Sequence, residues 1–148
     1  MTELQRKLHI LIVEDEPGDA RLTQLALAKS SLAITTSIAA DGLEALRFLR
    51  REGAPATQPR PDLILLDLKM PGQNGVDFLV AMKNDAQLRD IVVVVLTTSL
   101  LDADVVACYQ HGAAGYVQKP TDINEFIDAM TRLCHYWFKL VRLPRNRP

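Results

Sequence analysis

Residues 63–66, Leu63-Ile64-Leu65-Leu66, are aliphatic without a break and end on Asp67. Neighbours that are all apolar cannot alternate between core and solvent. As a strand, the run is therefore covered on both faces, as in a parallel sheet lying between layers of helices. Residues 91–96, six aliphatic positions in a row, repeat the pattern and are closed by Thr97-Thr98-Ser99. Leu8–Val13 is a third run, with His9 its one polar member. Ile34–Ala39 is β-branched but more polar, which marks an edge strand. Gly115-Tyr116-Val117 makes a brief fifth strand before Gln118-Lys119-Pro120.

Between these runs the apolar spacing becomes helical. Pro17 and the acids around it suit a helix N-terminus, and Leu22, Leu25 and Ala26 carry that helix to about Lys29. Asp41-Gly42-Leu43-Glu44 has the form of a capping box, with Ala45, Leu46, Phe48 and Leu49 facing inward and Gly53 closing the helix. Residues 54–61 hold three prolines and no periodicity, so they form a loop. Val76, Phe78, Leu79 and Met82 predict a third helix, entered through Asn74-Gly75, and residues 104–110 a short fourth one stopped by His111-Gly112. Thr121 or Asp122 caps a last helix with Phe126, Ile127, Met130, Leu133 and Trp137 inward. Strand and helix thus alternate five times, with connections short enough for right-handed crossovers. The fold class is α/β, a doubly wound five-stranded parallel sheet.

Composition changes this picture little. A chain of 148 residues, 48% hydrophobic and 24% charged, makes one globular domain. A formal net charge of −1 argues against nucleic acid as the main partner. No apolar run approaches the roughly 20 residues that span a bilayer. Residues 1–7 carry both signs of charge and no signal peptide, so a cytoplasmic location is expected. Cys108 and Cys134 have no metal-ligand spacing and read as reduced, part-buried thiols. The tail, residues 140–148, carries Arg142, Arg145 and Arg147 without an acid, and is expected to be extended or mobile.

The candidate chemistry lies at the strand ends. Ligands of open α/β sheets gather at the carboxyl ends of the strands. Here the first strand ends in Glu14-Asp15, the third in Asp67, the fourth in Thr97 and the fifth in Lys119. In the strand order 2-1-3-4-5, one of the two common doubly wound orders, these ends converge on one crevice. Three carboxylates so close raise at least one pKa unless a cation is present. Hard oxygen donors call for Mg2+, which takes one or two carboxylates and keeps several waters. With that charge neutralised, Asp67 can act as a nucleophile toward phosphorus, Lys119 giving a point charge and Thr97 a hydrogen bond to phosphoryl oxygens. Singly, each has a blander reading: Thr97 as a strand terminator, Lys119 as a solvated lysine, Glu14 as part of a helix start favoured by the dipole.

Together the motifs Val13-Glu14-Asp15, Leu66-Asp67-Leu68-Lys69-Met70-Pro71-Gly72, Leu96-Thr97-Thr98 and Gly115-Tyr116-Val117-Gln118-Lys119-Pro120 resemble those of response-regulator receiver domains of two-component signalling. The resemblance covers residues 6–138 and implies a flavodoxin-like receiver fold, with residues 139–148 as a C-terminal extension and no output domain. It implies that Asp67 accepts a phosphoryl group from a phosphohistidine of a sensor histidine kinase. It further implies Mg2+ bound by Asp15, Asp67 and the Lys69 carbonyl, with Glu14 acting through water. Thr97, Thr98 and Lys119 would contact the phosphoryl group, and Thr97 and Tyr116 match the family's switch pair. The Lys119-Pro120 bond is often cis in the family. Glu14 departs from the Asp that many receivers carry; its longer arm still reaches a metal-bound water. Lys69 and Ser99, two residues past Asp67 and Thr97, flank the path of hydrolytic water and are expected to tune the lifetime of the phosphoryl group.

The end of the last helix, Tyr136-Trp137-Phe138, is similar to stand-alone receivers paired with bacterial and cyanobacterial phytochrome kinases. Those form homodimers through the fourth helix, fifth strand and fifth helix, which makes Tyr116, Tyr136, Trp137 and Phe138 interface candidates. The alternative is that Trp137 and Phe138 pack on the extended helix of a monomer. A chemotaxis-type or phosphorelay single-domain receiver with another kinase, or a receiver-like module that is never phosphorylated, are rival readings of the same motifs. A flavodoxin-like cofactor binder is disfavoured, because Glu14-Asp15-Glu16 would repel a flavin phosphate. An aspartyl phosphatase wants a second acid where Lys69 stands.

Overall fold

A computed structural model describes residues 7–55, 57–70 and 74–144. Its elements are β1 (Leu8–Val13), α1 (Pro17–Ala28), β2 (Ile34–Ala39), α2 (Gly42–Leu49), β3 (Leu63–Leu66), α3 (Gly75–Lys83), β4 (Val92–Thr97), α4 (Asp102–Gln110), β5 (Gly115–Gln118) and α5 (Ile123–His135). A π-helical turn, Tyr136–Leu140, prolongs α5. All strands are parallel, as the apolar runs predict, and their order is β2-β1-β3-β4-β5, the one that the receiver resemblance implies. The polar strand β2 is indeed at an edge.

The unbroken apolar runs follow from a sheet covered twice. On one face Leu11, Val13, Ile64, Leu66, Val93 and Val95 meet Leu46 of α2, Phe78, Leu79 and Met82 of α3, and Cys108 of α4. On the other, Ile10, Ile12, Leu63, Leu65, Val94 and Leu96 meet Ala26 and Leu27 of α1 and Phe126, Met130 and Leu133 of α5. Each such aliphatic side chain, fully buried, contributes about 1.5–3 kcal/mol to the drive for folding. Trp137 and Phe138 lean on the second cluster, half-buried, while Tyr136 stays exposed with its ring edge-on to Trp137.

Helix starts follow local signals. Glu16 caps α1 by accepting from the amides of Gly18 and Asp19, Asp41 caps α2 through the amide of Glu44, and Asp122 caps α5 through that of Glu125. Glu44 does reach back, but to the amide of Ala40. The expected end of α2 at Gly53 is corrected: the helix stops at Leu49, and Arg51 takes the left-handed conformation at φ 61°. There the Glu52 amide bonds the Arg47 carbonyl and the Arg51 amide that of Phe48, a Schellman turn. The Arg51 guanidinium, donating to the carbonyls of Gln58 and Pro55, holds a residue that glycine would normally replace.

Three boundaries shift. α4 begins at Asp102, two residues before expectation; β4 runs one residue later than residues 91–96 because Thr97 is still paired with Gln118; and Gln118 itself extends β5. The Lys119-Pro120 bond, often cis in receivers, is trans, as is every peptide bond among the described residues. Pro71 and Gly72 of the motif around Asp67, and Arg145 and Arg147, lie outside the described residues. No described helix is long and apolar enough to cross a membrane.

Candidate functional site

The sheet register assembles the site. Val13 pairs with Leu66, so Glu14 and Asp67 leave adjacent strands side by side, and the Asp67 amide donates to the Val13 carbonyl at 3.0 Å. Thr97 pairs with Gln118, which brings Lys119 to the same edge, its amide donating to the Thr97 carbonyl at 2.7 Å. Glu14, Asp15 and Asp67 each offer a carboxylate oxygen within 4.8 Å of the others. Lys119 Nζ donates to Glu14 Oε1 at 2.5 Å, and lies 3.8 Å from Asp19 Oδ2 and 3.9 Å from Asp67 Oδ2.

Charge is unbalanced here. Glu14 is 5% exposed. Burial, aided by the field of Asp67, pushes its carboxyl up to about 7 in spite of Lys119. For Lys119, burial alone would lower the pKa, but the bond to Glu14 and the fields of Asp67 and Asp19 outweigh it and raise it. A raised acid beside a raised base is what several carboxylates around one ammonium produce. The set of hard oxygen donors with a surplus of negative charge fits a divalent cation. The Lys69 side chain is exposed, and its amide donates to Asp67 Oδ1 at 3.4 Å, which folds the chain back over the carboxylate.

Thr97 is fully buried and its Oγ1 accepts the Ser99 amide at 3.4 Å, while Thr98 is exposed. The Tyr116 ring packs against the α2–α4 side of the core, and its hydroxyl donates to the Ser99 carbonyl at 3.1 Å. The structure therefore brings Glu14, Asp15, Asp67 and Lys119 together, with Thr97 placed beside them by register and Tyr116 one strand away. Tyr136, Trp137 and Phe138 lie apart from this edge, at the end of α5. Sequence reasoning missed Asp19, whose position four residues after Asp15 at a helix start was its only signal. It also missed Asp104, which reaches Ser99 from α4.

Comparison with known proteins agrees with this geometry. The family described as response regulator receiver domain matches residues 10–131. The chain is 38% identical over 135 residues to the response regulator Rcp1 of Synechocystis sp., covering 91% of this chain and 92% of that protein. Among solved structures it is similar to the phosphorylated cyanobacterial phytochrome response regulator RcpA, with a TM-score of 0.88, 36% identity, and 95% and 100% of the two chains covered. It is similar also to the Mn2+-bound form of Rcp1, with a TM-score of 0.84, 37% identity, and coverage of 93% and 99%. With the sheet order, the acidic edge and these likenesses in agreement, the chain belongs to the response regulator receiver domain family.

Proposed function

We propose that this chain is a phosphorylation-dependent signalling switch in which Asp67 accepts a phosphoryl group from a phosphohistidine of a sensor histidine kinase. The observation that carries the reading is the placing of Asp67: at the end of a buried strand, among carboxylates within 4.8 Å and 3.9 Å from Lys119 Nζ. In the transfer an Asp67 carboxylate oxygen bonds to phosphorus as the phosphorus–nitrogen bond breaks, and the electron pair returns to the imidazole. Lys119, now held mainly by Glu14, is one short swing from a phosphoryl oxygen on Asp67, and Thr97 supplies a hydroxyl from the neighbouring strand end. A Mg2+ ion held by Asp15, Asp67 and the Lys69 carbonyl, with Glu14 through water, would neutralise the carboxylates and draw charge from the phosphoryl oxygens. The chain turns over only its own phosphoryl group, since Lys69 stands where a phosphatase places its second acid.

Rcp1 and RcpA, the latter a phytochrome response regulator by name, support a partner kinase of the phytochrome type. The output is proposed to be a surface contact, including a homodimer through α4, β5 and α5. The test is incubation with acetyl phosphate and Mg2+. Label should appear on the wild type, disappear on chelation, and be absent from Asp67→Asn; label persisting on that variant would overturn the assignment.

A further inference from the structure

Ser99 is 4% exposed, and each of its polar groups is engaged. Its amide donates to Thr97 Oγ1 at 3.4 Å, its carbonyl accepts the Tyr116 hydroxyl at 3.1 Å, and its own hydroxyl donates to Asp104 Oδ2 at 2.5 Å while accepting the Leu101 amide at 3.3 Å. Asp104 lies in the first turn of α4, whose N-cap residue Leu101 has no capping side chain. One residue thus joins a strand-end hydroxyl, an aromatic ring on β5 and the start of a helix, and a charged group holds it.

We propose that Asp104 is a positioning residue for phosphoryl transfer: by fixing the Ser99 hydroxyl it holds the Thr97 hydroxyl and the Tyr116 ring in one arrangement. The inference rests on the reading of Asp67 as the phosphoacceptor. Its physical content is that a buried hydroxyl deprived of its acceptor turns to another one, and the loop between β4 and α4 turns with it. A short hydrogen bond to a carboxylate is stiff enough to set that loop. Thr97 sits two residues upstream, at the end of β4 where that loop begins, so loosening Ser99 moves the donor that a phosphoryl oxygen on Asp67 would use. The same bond makes α4 sensitive to what happens at Thr97.

The rival role, a mere fastening of the α4 start, is separable. The full chain is compared as wild type, Asp104→Ala, Asp104→Asn, Ser99→Ala and the double variant Ser99→Ala/Asp104→Ala. Two quantities are read: the ring resonances of isotope-labelled Tyr116 without phosphodonor, and the rate of label uptake from acetyl phosphate with Mg2+. Asp104→Ala should shift the Tyr116 resonances and slow uptake about tenfold, the lower end of what a hydrogen bond to a charged group is worth. Asp104→Asn keeps an acceptor oxygen and should restore most of both. In the Ser99→Ala background, Asp104→Ala should add nothing, because it acts through Ser99. A lowered melting temperature with uptake and Tyr116 unchanged would overturn the proposal, as would effects that multiply in the double variant. If the wild type takes no label, the phosphoacceptor reading fails and the role in transfer with it, whereas the Tyr116 resonances still report whether Asp104 governs the ring.

Discussion

His9 and Glu14, at opposite ends of β1, are both titratable groups that burial makes neutral more readily. His9 is 5% exposed, with Nδ1 2.7 Å from Thr35 Oγ1, Nε2 2.8 Å from Ser37 Oγ, and its ring stacked over Phe48. Thr35 Oγ1 already donates to the Leu8 carbonyl, so it accepts from His9, which assigns the proton to Nδ1 and leaves Nε2 to accept from Ser37. Burial lowers the His9 pKa below its ordinary 6.5, partly offset by Asp62. As pH falls below 6.5 the unfolded chain takes up a proton that the folded one refuses, so stability is full above that value and is lost toward the folded pKa. Glu14, raised to about 7, acts oppositely: the folded state holds the extra proton, and stability falls as pH rises from 4.5 toward 7. Since the two slopes overlap, the difference between wild type and His9→Gln is the quantity to measure. The urea midpoint of the wild type, taken relative to that of the variant at the same pH, should drop as pH falls below 6.5. Equal slopes would mean that His9 titrates alike in both states. Neither shift was legible in the sequence beyond the crowding of acids, because burial is a property of the assembled sheet.

Among the elements, α3 bears most directly on Asp67. Its start was readable, and Asn74 does cap it, accepting the Asp77 amide at 2.9 Å. Its closeness to the site was not readable. A Cβ on Gly75 would lie 2.9 Å from the Asp67 carbonyl oxygen and 2.9 Å from Leu68 Cα, backbone atoms that cannot swing aside. Gly75→Ala is therefore expected to cost about 1–3 kcal/mol and to slow label uptake by displacing the loop that carries Asp67. Gly53→Ala is the control: its φ of 67° strains any side chain, but nothing lies within 4 Å, so stability alone should suffer. Uptake at the wild-type rate in Gly75→Ala would show that α3 does not set the acceptor. The other elements divide the same way. Starts signalled by a side chain within the same turn, at Glu16, Asp41 and Asp122, were visible in the chain. The start of α4, tied down by Ser99, and the end of α2, tied down by Arg51, were misplaced because their anchors come from outside the helical pattern.

For the whole molecule the open question is what the surface meets. Leu101, Val106 and Tyr109 on or beside α4, with Tyr136 and Leu140 beyond α5, are large apolar side chains left exposed, whereas Trp137 and Phe138 lean on the chain's own core. The proposed homodimer would bury such residues, aromatic and aliphatic anchors being enriched at interface centres. Sedimentation with beryllofluoride and Mg2+ should give a dimer, weakened by Val106→Asp without loss of label uptake; a monomer at every concentration would refute it.

The order of apolar runs, helical spacings and turn residues by itself determined a doubly wound sheet and the strand ends that carry Glu14, Asp15, Asp67, Thr97 and Lys119. These are short-range patterns, and a parallel sheet covered on both faces admits few other placements. Only the tertiary structure decided that Lys119 rests on Glu14, that Gly75 presses under Asp67, and that Asp104 holds Ser99. Each of these contacts joins separate elements of the fold, and its geometry is set by the sheet register and helix packing, to which local spacing is blind.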